Sequence, residues 1–133
     1  MNKNLIIIPT YNEINNIEII INKIIGLDIN VDILVVDDNS PDKTYEKVQD
    51  LKKVFSNLFL IINNKKLGIG KAYIKGFEYA ISKNYSKVIQ IDSDMSHNPN
   101  DIIKLLESSN SYDLVIVSRY INGIRIINWP LSR

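Results

Sequence analysis

The sequence predicts an α/β fold, an open and mostly parallel sheet with helices packed on both faces. Three observations carry the prediction. Short aliphatic runs alternate along the chain with stretches whose apolar residues recur at helical spacing. Several of the runs are continuously apolar, the pattern of strands buried on both faces. Polar residues gather where the runs end, and open α/β sheets bind ligands beyond the carboxyl ends of their strands.

Leu5 to Ile8 is the first such run, closed by Pro9. Asn12 is placed to cap a helix carrying Ile14, Ile17, Ile21, Ile24 and Ile25, with Gly26 as its stop. Ile33 to Val36 is the second buried strand. Ser40-Pro41-Asp42 then reads as an N-cap, a first-turn proline and a first-turn acid, ahead of a helix that buries Tyr45, Val48, Leu51 and Phe55. Leu58 to Ile62 is the third strand. A polar loop over 63–70 leads into a helix with Ala72, Gly76, Phe77, Ala80 and Ile81 inward. Lys87 to Ile91 is the fourth strand, ended by Asp92. Asn98-Pro99 opens a helix whose core face is Ile102, Ile103 and Leu106, and Leu114 to Val117 is expected to be a fifth strand. No internal repeat, linker or low-complexity block interrupts this order.

A chain of 133 residues, 45% hydrophobic, supports one domain with a substantial core. Sixteen basic and fifteen acidic residues nearly cancel, which argues against a broad nucleic-acid-binding face. The absence of cysteine excludes disulfides, a thiolate nucleophile and zinc-thiolate sites, and is compatible with a reducing cytoplasm. The first strand begins so close to Met1 that no signal peptide is expected. No apolar run reaches the ~18 residues that span a bilayer.

Four strand ends bring chemistry to one rim: Pro9-Thr10-Tyr11-Asn12-Glu13, Asp37-Asp38-Asn39-Ser40, Asp92-Ser93-Asp94 and Ser118-Arg119. Asp92-Ser93-Asp94 is the most informative. In extended backbone residues i and i+2 share a face, so two carboxylates can converge on one hard cation that also holds substrate phosphates. Turn chemistry alone explains Asn39 to Asp42 but not the adjacent Asp37 and Asp38. Gly68-Ile69-Gly70 lacks the third glycine of a dinucleotide fingerprint and follows the wrong strand, which disfavours a Rossmann-type dehydrogenase. Gly70-Lys71 is not a phosphate-binding P-loop, because Lys65 stands where its first glycine belongs and Ala72 replaces the hydroxyl residue. His97, the single histidine, follows the acidic motif; a lone histidine at a helix start is more often a structural hydrogen-bonder than a ligand or base.

Pro9-Thr10-Tyr11-Asn12-Glu13, Val35-Val36-Asp37-Asp38-Asn39-Ser40-Pro41-Asp42, the run Lys66 to Tyr73, Asp92 to His97 and Ser118-Arg119-Tyr120 resemble, in order and spacing, the polyprenyl-phosphate (dolichyl-phosphate) mannosyltransferases. These are family 2 glycosyltransferases with the GT-A fold, and Trp129 to Arg133 adds to the likeness. The resemblance implies transfer of mannose, with inversion, from GDP-mannose to dolichyl or polyprenyl phosphate. It implies that Pro9, Tyr11, Glu13, Val36 and Asp38 hold the nucleoside. Asp92 and Asp94, helped by Ser93 and Ser96, would hold a Mg²⁺ or Mn²⁺ ion and the diphosphate. Arg119 and Arg133 would contact phosphates, with Asp92, Asp94 and Arg119 nearest the chemistry. It further implies a cytoplasmic protein at the cytoplasmic face of a membrane. Membrane contact would come through segments outside this chain or a partner subunit, and no nucleic acid is expected.

The chain departs from the family pattern in places. Ser93 replaces the usual alanine, Ser96 stands where some members carry a metal-ligating glutamine, Lys43 replaces a common glycine, and Val117 replaces the glycine before Ser-Arg-Tyr. Family members continue beyond the position of Arg133, so residues 1–133 are expected to be a single catalytic domain incomplete at its C-terminal end. Two alternatives stay open: another donor such as UDP-glucose, and an inactive nucleotide-sugar-binding module.

Overall fold

The computed structural model describes residues 3–118. They form β1 (Asn4–Thr10), α1 (Ile17–Ile25), β2 (Val31–Asp37), α2 (Thr44–Lys52), β3 (Leu58–Ile62), α3 (Ile69–Ser82), β4 (Lys87–Gln90) and α4 (Asp101–Ser108). The four strands are all parallel and lie in the order β3-β2-β1-β4. The chain winds outward from β1 to β3, then returns to the other side of β1. That reversal puts the topological switch point between β1 and β4.

Continuous apolar sequence becomes two-sided burial. Ile6, Ile8, Ile33, Val35 and Ile89 face α1, α2 and α4, meeting Ile17, Ile20, Ile21, Ile24, Val48, Leu51 and Ile102. Leu5, Ile7, Leu34 and Val36 face the opposite way, against Ala72 and Ala80 of α3. The side chains alternate between faces because strand periodicity is two. α3 rides close to the sheet because its inward stripe is small: Ala72, Gly76 and Ala80. A Cβ on Gly76 would lie 2.6 Å from Cδ1 of Ile7.

Pro9 lies inside β1 rather than after it, paired in register with Val36. Ile7 turns its carbonyl toward β4, accepting from the Ile91 amide at 3.2 Å, and Pro9 two residues on faces the same way. Since β4 ends at Gln90, the missing proline N–H deprives no neighbour of a ladder bond.

Four other expectations are corrected. α1 begins at Ile17, because Asn12 adopts positive φ (55°) and serves the loop after β2 instead of capping a helix. α2 begins at Thr44; Ser40-Pro41 lies in the preceding turn, and Asp42 accepts from the Thr44 amide at 2.9 Å. Ile81 is 77% exposed and Ile103 38% exposed, each about 100° around its helix from a buried neighbour (Ala80 and Ile102). Leu114 to Val117 forms no strand, and Leu114 and Ile116 are exposed. An apolar run becomes a strand only where a neighbour completes its ladder, and none of the described residues does so here.

Candidate functional site

A cleft of about 250 Å³ opens at the switch point. Pro9, Thr10, Tyr11 and Glu13 form one wall, and Asp92, Ser93 and Asp94 another. Asp38 sits beside them, and Lys66, Gly68, Ile69 and Ala72 complete the lining from the start of α3. Three of the four strand ends expected to meet at one rim are thus together.

Its β1 wall is held by side chains from the loop after β2. The amide of Asn12 donates to Ser40 Oγ (2.9 Å), that of Glu13 to Thr44 Oγ1 (3.0 Å) and that of Ile14 to Asp42 Oδ2 (3.1 Å). Asn12 Oδ1 in turn accepts from the Asp42 amide (3.2 Å). Asp37, fully buried, accepts from Thr10 Oγ1 and Ser40 Oγ, both at 2.7 Å, and from the Ser40 amide at 2.8 Å. Asp37 is therefore structural: a buried carboxylate whose oxygens are satisfied locks the two loops together. Burial pushes the Asp42 carboxyl up, but the bonds from Thr44 and Ile14 outweigh it and hold it below the usual range.

Asp38 organises the third side. Its Oδ1 accepts from Asn63 Nδ2 (2.7 Å), and its Oδ2 accepts from the amides of Leu67 (3.0 Å) and Gly68 (2.8 Å). Gly68 holds φ +94°, a conformation open to glycine, and α3 starts immediately after it. Across the mouth the Lys66 ammonium lies 4.1 Å above the centre of the Tyr11 ring, within cation–π range.

The acidic motif lies on a turn rather than on extended backbone, with Met95 at φ 64°. The turn is pinned throughout. The Asp92 amide donates to His97 Nδ1 (3.0 Å), Ser93 Oγ donates to the Pro9 carbonyl (3.3 Å), and the Ser96 amide donates to Asp94 Oδ1 (2.9 Å). Asp92 Oδ1 accepts from the Tyr73 hydroxyl at 2.8 Å. His97 Nε2 lies 3.9 Å from Asp92 Oδ2, beyond hydrogen-bond reach. Burial, then the hydrogen bond and charge of Asp92, push the Tyr73 phenol far above its ordinary value, so it remains a donor. At Asp94 burial acts upward, and the bonds from Ser96 prevail, keeping the carboxyl below its usual value and ionised at neutral pH.

Among the residues expected to hold a ligand, Pro9, Tyr11, Glu13, Asp38, Asp92, Ser93 and Asp94 line the cleft. Val36 does not: it is fully buried in the core against α3, with no side-chain surface toward the cleft. Ser96 lies outside the lining and acts on Asp94 through its amide. Arg119 and Arg133 lie outside the described residues. Nothing in the sequence alone singles out Lys66 or Tyr73, although both stand in the run from Lys66 to Tyr73 that carries the family likeness.

Among the described residues no three acidic or histidine side chains gather around one point. The donor set still fits a hard divalent cation. Asp92 and Asp94 supply carboxylate oxygens to the same cleft, and Asp92 Oδ2 accepts no hydrogen bond from the described residues. Mg²⁺ and Mn²⁺ commonly take one or two protein carboxylates and fill the remaining positions with phosphate oxygens and water.

The chain is similar to curated polyprenyl-phosphate mannosyltransferases. It is 37% identical to undecaprenyl-phosphate mannosyltransferase of Micrococcus luteus, covering 97% of this chain and 53% of the relative. It is 37% identical to polyprenol monophosphomannose synthase of Mycolicibacterium smegmatis (98% and 50%) and 39% identical to dolichol-phosphate mannosyltransferase of Pyrococcus furiosus (96% and 36%). The chain thus spans about half the length of the first two and a third of the last. Among solved structures, a mannosyltransferase from Pyrobaculum calidifontis in complex with GDP-Man and Mn²⁺ matches with TM-score 0.55 and 27% identity, over 58% of this chain and 24% of that one. S. aureus TarS residues 1–349 with UDP-GlcNAc match with TM-score 0.63 and 24% identity, over 83% and 32%, a likeness of fold alone. The sheet and its neighbours identify the GT-A glycosyltransferase fold. The family model described as glycosyl transferase family 2 matches residues 5–133, and the chain belongs to that family.

Proposed function

We propose that this chain binds GDP-mannose in the β1/β4 cleft and serves the transfer of mannose, with inversion, to a polyprenyl phosphate. One observation carries the reading: a paired-carboxylate turn faces the Pro9–Glu13 wall and Asp38 across one cleft at the switch point. The names of the three relatives and the GDP-Man and Mn²⁺ complex of the neighbour support the donor, acceptor and metal.

In this reading Pro9, Tyr11, Glu13 and Asp38 hold the nucleoside, and Lys66 leaves the Tyr11 ring to meet the donor's negative charge. Asp92 and Asp94 hold Mg²⁺ or Mn²⁺ with the diphosphate, while Ser93 and Ser96 keep their turn in shape. A bound cation supplies neutralisation of the charge that develops on the departing diphosphate. The acceptor phosphate oxygen is already anionic, so the chain has to orient it opposite the leaving group rather than deprotonate it. Arg119 and Arg133 take the role of phosphate contacts. No described helix is long and apolar enough to cross a membrane; in this reading the lipid acceptor is met at the membrane surface.

Residues 1–133 extended by a matching family C-terminal segment, incubated with labelled GDP-mannose, Mn²⁺ and polyprenyl phosphate in detergent, should yield a lipid-extractable, acid-labile mannose product. Label transfer from UDP-glucose in preference would replace the donor. Donor binding without transfer from either would replace the enzyme by a nucleotide-sugar-binding module.

A further inference from the structure

We propose that Tyr73 is a positioning residue for the acidic turn, its hydroxyl fixing the Asp92 carboxylate so that Oδ2 is left for the divalent cation. This deepens the metal–diphosphate reading above and rests on it.

The backbone around Asp92 is already fixed on both sides, by the bond from its own amide to His97 Nδ1 and by the bond from Ser93 Oγ to the Pro9 carbonyl. What remains is the rotation of the Asp92 side chain, which is 30% exposed and whose Oδ2 has His97 Nε2 at 3.9 Å but accepts no hydrogen bond from the described residues. Tyr73 settles it through the 2.8 Å bond to Oδ1. A ligand carboxylate held by a neighbouring donor loses little freedom on binding its ion, and removing such a donor commonly costs metal affinity 10- to 100-fold.

The donor itself is rigidly mounted. The Tyr73 ring stacks on Phe77 (centroids 6.4 Å apart, planes at 21°), one turn along α3. The helix is seated on Ile7 through Gly76, and just before its first turn the Leu67 and Gly68 amides are tied to Asp38. α3 therefore links the carboxylate that shapes one side of the cleft to the carboxylate pair on the other. A purely structural tyrosine would need only its ring, so the hydroxyl is the group to test.

The test compares the parent chain with Tyr73→Phe, using Mn²⁺ and GDP as probes. Free Mn²⁺ is read by electron paramagnetic resonance, GDP affinity with and without chelator by calorimetry, and folding by thermal melting. Tyr73→Phe should bind Mn²⁺ in the presence of GDP about tenfold more weakly. Its metal-free GDP affinity should match the parent, and its melting temperature should fall by no more than a few degrees, since partly exposed Asp92 recovers water. Equal or tighter Mn²⁺ binding in Tyr73→Phe, beside a parent that binds Mn²⁺ with GDP, overturns the positioning role and leaves the site reading intact. No Mn²⁺ binding with GDP in the parent overturns the site reading and this role together. Phe77→Leu loosens the same helix face and spares the hydroxyl. An equal loss of Mn²⁺ affinity there marks general loosening and also overturns the proposal.

Discussion

Replacing Asp38 separates its two tasks, building the cleft and touching the ligand. Its carboxylate accepts three bonds, from Asn63 Nδ2 and the Leu67 and Gly68 amides, and is 4% exposed. Asp38→Ala removes all three acceptors. Asn63 is 1% exposed, so its stranded amide group costs about 1–3 kcal/mol. The half-exposed Leu67 and Gly68 amides recover water and add less, giving a total of about 3 kcal/mol. In a chain of this length that corresponds to a fall of roughly 10 °C in melting temperature. Asp38→Asn keeps the shape and one good acceptor for the two amides, but turns charge-assisted bonds into neutral ones of about half the strength. It should lose about half as much. Thermal melting gives the stability, and amide exchange by NMR should show Leu67 and Gly68 exposed far more in the alanine variant than in the asparagine one. Guanosine and GDP should weaken by similar factors. An alanine variant with the parent's melting temperature and the parent's exchange at Leu67 and Gly68 would refute the organising role. A loss confined to GDP would move Asp38 to the diphosphate side.

Gly76→Ala sets overpacking of about 1–3 kcal/mol against a helix-propensity gain of about 1. The new Cβ would lie 2.6, 2.7 and 3.0 Å from three atoms of Ile7, a fully buried β-branched residue on a central strand, so the clash should win. Thermal melting should show a net loss that shrinks in the Ile7→Val background; a stabilised Gly76→Ala would contradict the packing of α3. Asp42→Ala should cost about 1 kcal/mol at neutral pH, as helix-start caps do. The folded pKa of Asp42 is depressed, so its stabilising effect is complete above the ordinary 3.8 and is lost as pH falls through the lower folded value. Denaturant titrations of parent and variant should therefore converge in strong acid, and a gap that widens there would contradict the sign. Lys43 holds φ 63° where a glycine is common in the family, so Lys43→Gly should be neutral or stabilising by up to about 1 kcal/mol in the same titrations, and a marked loss would show that its side chain matters.

The central strands were legible because burial on both faces leaves continuous aliphatic sequence: Leu5 to Ile8 lies within β1 and every one of its side chains is fully buried. Helix starts were less so. Asn12 and Ser40 look like caps in isolation, but the fold spends both on bonds between the loops after β1 and β2, 28 and 30 residues apart. Local rules cannot see a partner so distant in the chain. The same limit hid Tyr73, whose partner Asp92 is 19 residues away. Val36 is the opposite case: Asp38 two residues on reaches the cleft, but Val36 still lies within β2, where both sheet faces are covered, and its side chain is fully buried against α3. The acidic pair does line the cleft, but a turn brings it there rather than the extended backbone that its spacing suggests.

The most direct test of the metal–diphosphate site is a calorimetric titration of GDP into the chain with Mn²⁺ and, separately, with chelator. Binding should depend on Mn²⁺ in the parent and in Asp42→Ala, and that dependence should be lost in Asp94→Ala. Equal GDP affinity in Mn²⁺ and in chelator would contradict it.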